Sequence, residues 1–150
     1  MPPIDAKVLN SPSGARIYDR LRGRYVALTP EEWVRQHFVE FLIAEKRYPA
    51  ALMANEVGLT LNGVSRRCDT VVFNRCGKPA VIVEYKAPSV SVTQKVFDQI
   101  VRYNMVLRAG VLMVSNGLAH YCCRVDYKNR QVVFLADIPD YDTLLLLTGE

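Results

Sequence analysis

The chain has 150 residues, of which 50% are hydrophobic and 23% are charged, and its formal net charge is +4. These values are typical of one globular domain with one core. No apolar run approaches the roughly 18 residues that a bilayer span needs, and the N-terminus lacks the order of a signal peptide. We therefore expect a cytoplasmic protein with no membrane partner.

The basic residues are unevenly distributed along the chain. They crowd two stretches, at Arg16, Arg20, Arg22, Arg24, Arg66 and Arg67. Such clusters suit the phosphate backbone of a nucleic acid, although solvated surface residues give the same pattern. The cysteines lack the spacing of common zinc motifs, so we expect reduced thiols, and a zinc site with His37 or His120 is the weaker alternative.

Two predicted elements open the chain. Residues 1–16 are rich in Pro, Ser and Gly without a period, which predicts a flexible arm before a single domain over residues 17–150. Thr29 as N-cap, Pro30 at the first helical position and Glu32 three residues after the cap predict an amphipathic helix that Pro49 ends.

Several strands and one further helix are predicted in the rest of the chain. Alternation predicts a strand over 51–61, with Met53, Val57, Leu59 and Leu61 mostly on one side. Apolar runs over 68–74 and 79–86 predict a central hairpin. A helical period then ends at Gly110, and two or three closing strands follow. This order predicts an α/β fold on the border with α+β, with a mixed central sheet of five to six strands flanked by helices. The strands on either side of the second helix should be parallel.

Three charged residues interrupt the apolar hairpin. If residues 75–78 form the turn, Asn74 pairs with Pro79, and regular register places Asp69 opposite Glu84 with Cβ atoms roughly 4.5–5.5 Å apart. Lys86 lies on the same face as Glu84 because strand side chains alternate. The face thus gathers two acids and an amine.

Two adjacent carboxylates repel each other, and a bound cation relieves that repulsion. Mg²⁺ prefers oxygen ligands and takes one or two carboxylates, so it is the expected cofactor, and Mn²⁺ should substitute. Lys86 could then orient or deprotonate a water and neutralise charge on a phosphate. A salt bridge that only satisfies the sheet is the alternative.

An acid followed after a turn by Glu-x-Lys resembles the PD-(D/E)XK nuclease superfamily, which has a restriction-endonuclease-like fold. Cys68 stands where many members have proline. The segments in order, TPEEWVRQ, RRCDTVVFN, VIVEYKAP and QIVRYN, resemble the N-terminal nuclease domain of type I restriction enzyme R subunits over about residues 29–118. No phosphate-binding loop of a helicase motor is present.

The resemblance implies roles for individual residues. It implies Asp69 and Glu84 as metal ligands, Lys86 near the hydrolytic water, and Gln99 and Tyr103 four residues apart on one helical face. Gln99 could hydrogen-bond the water or a phosphate, whereas packing of the helix is the favoured alternative for Tyr103. An acid from the first helix often completes such sites. Glu32 is the first choice for this acid, followed by Glu40 and Glu56.

The predicted function is a metal-dependent DNA endonuclease or nuclease module. Its candidate contacts to nucleic acid are Arg66, Arg67, Arg102 and Tyr103. A non-catalytic DNA-binding or assembly module is the alternative, and an enzyme for another substrate remains open because a fold does not fix its substrate. The expected partners are DNA, restriction-system subunits and, for double-strand cutting, a second copy of the chain.

Overall fold

The computed structural model describes residues 6–149 of the chain. They form a three-stranded antiparallel sheet, a mixed six-stranded sheet and three α-helices, which is an α+β fold. The strands are β1 Val8–Ser11, β2 Gly14–Asp19, β3 Arg24–Ala27, β4 Met53–Leu61, β5 Val64–Phe73, β6 Pro79–Tyr85, β7 Val111–Ser115, β8 His120–Asp126 and β9 Gln131–Leu135. The helices are α1 Pro30–Ala44, α2 Gln94–Met105 and α3 Tyr141–Leu147.

The six-stranded sheet has the predicted mixed character. Its order is β4-β5-β6-β7-β8-β9, and only the central β6–β7 pair is parallel. The parallel pair is joined through α2, as expected for two strands that a helix connects. The predicted mixed sheet flanked by helices is therefore confirmed.

Residues 8–16 differ from the predicted flexible arm, because most of them are in strands. Residues 8–11 and 14–16 belong to the strands β1 and β2, and the boundary near Ile17 falls inside β2. Ile17 is fully buried, and Asp19 at the end of β2 accepts hydrogen bonds from the Asn55 side chain in β4. The small sheet is thus attached to the main one, and only residues 1–5 of the predicted arm lie outside the described residues.

Helices cover both faces of the large sheet. Thr29 caps α1 by accepting a hydrogen bond from the Glu32 amide at 3.1 Å, and the helix buries Val34, Phe38 and Leu42 against one face. On the opposite face α2 buries Phe97 and Ile100. Along residues 6–149, no helix is both long and apolar enough to cross a membrane.

The third helix was not predicted from the sequence. Asp140 caps α3 by accepting a hydrogen bond from the Thr143 amide at 2.8 Å. The helix packs Tyr141, Leu144 and Leu145 on the α1 side of the sheet. The sheet is therefore covered by two helices on one face and by α2 on the other.

Most of the apolar residues of β4 lie on one side of the strand, as predicted, and Met53 is the exception. Met53 packs in the core beneath α1, whereas Val57, Leu59 and Leu61 pack against the core beneath α2. Glu56, between them, has a φ of +56°, in the left-handed region. This conformation interrupts the strand alternation, so the side chains that follow it change face.

Candidate active site

The β5–β6 hairpin brings Asp69 and Glu84 to neighbouring positions. Thr70 pairs with Val83, so the next positions along the two strands are Asp69 and Glu84. The predicted pair of Asn74 with Pro79 is wrong, because Pro79 pairs with Phe73. A register irregularity between Val72 and Phe73 compensates for this difference, and the predicted register holds from Val72 back to Thr70.

These residues line a cavity of about 680 Å³ at the carboxyl end of β6. Its walls come from the start of α1, from three adjacent strands and from one face of α2. The lining residues are Thr29, Glu31, Glu32, Arg35, Glu56, Arg67, Asp69, Glu84, Tyr85, Lys86, Gln99, Ile100 and Tyr103. The cavity thus brings together seven of the nine residues predicted for the site.

Asp69 is a half-buried carboxylate beside other acids. Its Oδ2 accepts a hydrogen bond of 2.9 Å from the Tyr85 amide. Burial is the main cause that raises the pKa of Asp69 above its ordinary value, and the charges of Glu84 and Glu56 raise it further. The Tyr85 amide and Arg35 offset only part of this rise, so the pKa stays raised.

Lys86 forms an ion pair with Glu84. Their Nζ and Oε2 atoms are 3.2 Å apart, and the two side chains are 36% and 25% exposed. Both groups therefore remain accessible from the cavity while they neutralise each other. This contact is the one that the structural alternative predicts, and it places the amine of Lys86 on the same side of the sheet as Glu84.

Glu32 lines the cavity, but its carboxylate is already occupied. Its oxygens accept hydrogen bonds from Arg22 at 2.7 Å, from Arg35 twice at 2.8 Å and from Gln36 at 3.1 Å. Burial alone would raise the pKa of Glu32, but these partners outweigh it and the pKa is lowered. Such a carboxylate suits a structural anchor better than a metal ligand. Glu40 lies outside the cavity lining and pairs with Arg20 at 3.0 Å.

Two charged residues complete the wall between α1 and the sheet. Arg35 donates to Glu32, to Glu56 and to the backbone carbonyl oxygen of Asp69, each at 2.8 Å. Glu56 also accepts from Arg67 at 3.3 Å. Arg35 was not predicted as a site residue, although its position three residues after Glu32 on a helix indicates that the two side chains can pair.

Of the four predicted nucleic-acid contacts, Arg67 and Tyr103 line the cavity, whereas Arg66 and Arg102 lie outside its lining. The guanidinium of Arg66 lies 4.3 Å from the centroid of the Tyr103 ring, and Tyr103 is 49% exposed. Tyr103 of α2 thus contacts a residue of β5, while about half of its surface stays exposed. Arg67 and Gln99 are exposed and line the cavity, whereas Arg102 is exposed but does not line it.

The donor set decides which metal the site could hold. Among residues 6–149, no group of three or more His, Cys, Asp or Glu side chains is arranged to bind a metal ion. Asp69 and Glu84 supply two carboxylates, which is the number that Mg²⁺ often takes from a protein while water and phosphate complete its shell. The pair therefore fits a hard divalent cation and offers none of the sulfur or imidazole ligands typical of zinc.

The fold and the cavity define an α+β domain with acidic and basic side chains gathered at the carboxyl end of one central strand. The chain belongs to the family of type I restriction enzyme R protein N termini (HSDR_N), whose model matches residues 30–139. It also resembles a fragment assigned as the HsdR subunit of a type I restriction enzyme from Vibrio vulnificus YJ016, with a TM-score of 0.57 and 20% identity.

That structural likeness shows a shared fold. The match covers 80% of this chain and 25% of the HsdR chain, so this chain spans a quarter of the length of that fragment. A search of curated proteins found no matching relative.

Proposed function

We propose that the chain is a metal-dependent DNA nuclease module of the PD-(D/E)XK type, which hydrolyses phosphodiester bonds. The observation that carries the proposal is the meeting of Asp69, Glu84 and Lys86 in one cavity. The hairpin register, in which Asp69 and Glu84 are the next positions after the Thr70–Val83 pair, supports the proposal. The ion pair of 3.2 Å between Lys86 and Glu84 supports it as well. Membership of a restriction-enzyme family supports DNA as the substrate and restriction-system subunits as partners.

The carboxylates of Asp69 and Glu84 would hold Mg²⁺, or Mn²⁺ in its place. A bound divalent ion supplies charge neutralisation at the phosphate and lowers the pKa of a water ligand. Glu32 is left out of this set, because Arg22, Arg35 and Gln36 occupy its carboxylate.

The other cavity residues have distinct tasks in the hydrolysis. Lys86 would orient the attacking water or donate a hydrogen bond to the phosphate oxygen while the water oxygen bonds to phosphorus and the ester bond to the leaving oxygen breaks. Solvent water would accept the proton that the attacking water loses and would protonate the leaving oxygen. Gln99 on α2 hydrogen-bonds the water or a phosphate oxygen. Arg67 and the stacked Arg66–Tyr103 pair contact the DNA backbone at the rim of the cavity. Arg102, outside the lining, would add a more distant phosphate contact.

Nicking of supercoiled plasmid tests this function directly. We expect cleavage with Mg²⁺ or Mn²⁺ that is lost in Asp69→Ala and in Lys86→Ala, with Lys128→Ala as the control. Lys128 is an exposed lysine in the turn between β8 and β9, outside the cavity lining. Cleavage by Asp69→Ala and Lys86→Ala at the rate of the unchanged protein would rule out the proposed site.

The alternative is a non-catalytic DNA-binding or assembly module. The ion pair between Glu84 and Lys86 favours it, because the two groups already neutralise each other without a metal. Plasmid that stays intact after long incubation with Mn²⁺, together with salt-dependent binding of DNA, would favour this alternative.

A further inference from the structure

The pairing between β4 and β5 is interrupted beside the candidate active site. Asn55 pairs with Thr70 and Val57 pairs with Cys68, but the Glu56–Asp69 pair between them is missing from the ladder. The register is the same on both sides of this gap, so no residue is inserted. Glu56 has a φ of +56°, which residues other than glycine adopt only where the surroundings hold them.

A guanidinium from α1 fills this gap. Nη1 of Arg35 donates to the backbone carbonyl oxygen of Asp69 and to Oε1 of Glu56, both at 2.8 Å. The Nε and Nη2 atoms of Arg35 donate to the two oxygens of Glu32, also at 2.8 Å. Arg35 thus links the helix to the main chain of Asp69 while Glu32 and Glu56 fix its planar group on two sides.

The position of the Asp69 side chain depends on the same segment. Its Oδ2 accepts the Tyr85 amide at 2.9 Å, which binds it to the end of β6 next to Glu84. Asp69 is therefore held twice, through its main chain by Arg35 and through its carboxylate by β6. If the main chain shifts, the carboxylate must shift as well.

We propose that Arg35 is a positioning residue, which holds the main chain of Asp69 in the gap between β4 and β5 so that the Asp69 carboxylate stays beside Glu84. Glu32 and Glu56 act through Arg35 by fixing its guanidinium. The metal-binding consequence rests on the proposed function, whereas the geometric part does not depend on it.

The burial of Arg35 separates this role from phosphate binding. Its side chain is 9% exposed, and Nε, Nη1 and Nη2 all donate to groups of the protein. Arg67, by contrast, is 68% exposed and makes a single bond of 3.3 Å to Glu56. Arg67 can therefore turn towards a phosphate, while Arg35 cannot do so without breaking the link to Asp69.

The test uses Arg35→Lys, which keeps the positive charge but replaces the planar fork with one nitrogen. That nitrogen cannot reach Glu32, Glu56 and the Asp69 carbonyl oxygen together. Arg20→Lys is the matched control, because Arg20 pairs with Glu40 at 3.0 Å on the surface and is 49% exposed.

The first measurement is the hydrogen-exchange rate of the Tyr85 amide, which NMR monitors in the absence of metal. We expect it to accelerate at least about tenfold in Arg35→Lys, since its acceptor on Asp69 is no longer fixed. The Val125 amide, which donates to Gly110 at 2.9 Å in another part of the sheet, should exchange at the unchanged rate. Arg20→Lys should change neither amide.

The second measurement is the affinity for Mn²⁺, determined by electron paramagnetic resonance. The dissociation constant should rise at least about tenfold in Arg35→Lys and stay within about twofold in Arg20→Lys. An unchanged Tyr85 exchange rate in folded Arg35→Lys, or equal acceleration of Tyr85 and Val125, overturns the positioning role.

A second variant keeps the proposal testable if Arg35→Lys does not fold. Glu56→Gln preserves the shape of the side chain but removes the charge that holds Nη1 of Arg35, so the Tyr85 amide should again exchange faster than the Val125 amide. Equal exchange in Glu56→Gln and in the unchanged protein would overturn the proposal. Absence of Mn²⁺ binding by the unchanged protein would instead contradict the proposed function, because the exchange measurement needs no metal.

Discussion

Replacement of Asp69 by Asn should make the metal-free protein more stable. Asn keeps the size of the side chain and an oxygen that can accept the Tyr85 amide, but it carries no charge. Burial and the nearby charge of Glu84 both disfavour the ionised form of Asp69. Two unit charges roughly 5 Å apart, which is the usual Cβ spacing of neighbouring strand residues, repel by about 3 kcal/mol at an effective dielectric constant of about 20. Lys86 beside Glu84 and Arg35 beside Asp69 offset part of this repulsion, so we expect a net gain of about 1 kcal/mol.

The raised pKa of Asp69 determines how the stability gain of Asp69→Asn changes with pH. Ionisation of this buried carboxylate reduces stability as the pH rises from the ordinary value of 3.8 through the raised pKa of the folded state. The advantage of Asp69→Asn should therefore be largest near neutral pH and should shrink towards pH 4. Asp98→Asn, at an exposed position of α2, should show no such trend.

Bound metal should make the unchanged protein more stable than Asp69→Asn. With Mg²⁺ or Mn²⁺ at about ten times its dissociation constant, the unchanged protein should gain about 1.4 kcal/mol, whereas Asp69→Asn should gain nothing. For a chain of this length, that gain raises the Tm by about 3–6 °C. Thermal unfolding followed by circular dichroism, in EDTA and at increasing metal concentration, measures both effects. A less stable metal-free Asp69→Asn variant, or an equal response to metal in both proteins, would refute the reasoning.

Three further substitutions test separate parts of the site. Glu32→Gln should lose about 3 kcal/mol of unfolding free energy in urea denaturation, because Arg35 and Arg22 lose a buried partner; unchanged stability with lost cleavage would instead point to a direct role in the chemistry. The pKa of Glu32 is lowered, so its contribution to the free energy of unfolding is present above the ordinary pKa of 4.5 and is lost as the pH falls through the folded-state pKa. The difference in stability between Glu32→Gln and the unchanged protein should therefore narrow in acid. Arg67→Ala should weaken DNA binding for all sequences and reduce the slope of log K against log salt by about 1, and a slope equal to that of Lys128→Ala would exclude a phosphate contact. Lys86→Arg should keep DNA affinity within about twofold but lower kcat by about 100-fold, since the larger planar guanidinium cannot place a single nitrogen where the Lys86 amine orients the water; full kcat would show that only the charge matters.

Part of the candidate site could be predicted from the sequence because three of its residues lie in one hairpin. Asp69, Glu84 and Lys86 are related by strand pairing and alternation, which are local rules. The assumed turn pairing was wrong by one residue, but the irregularity at Phe73 restored the register. The six-stranded sheet and the first two helices could likewise be predicted, from the spacing of apolar residues and from helix-capping residues.

The parts that were missed depend on contacts between distant segments. Residues 8–16 lack a clear period, because the strands β1 and β2 are mostly exposed and are ordered by their pairing with each other. The occupation of Glu32 required knowledge that Arg22 and Arg35 approach it from two elements. The left-handed backbone of Glu56, which turns the later residues of β4 to the other face, has no signature in residue type.

Diffraction from crystals soaked in Mn²⁺, measured at a wavelength where manganese scatters anomalously, shows directly whether Asp69 and Glu84 bind a divalent cation. We expect an anomalous peak bound by both the Asp69 and the Glu84 carboxylates, with Lys86 on the same side of the sheet. An empty site, with the two carboxylates turned away from each other in a soaked crystal, would contradict it.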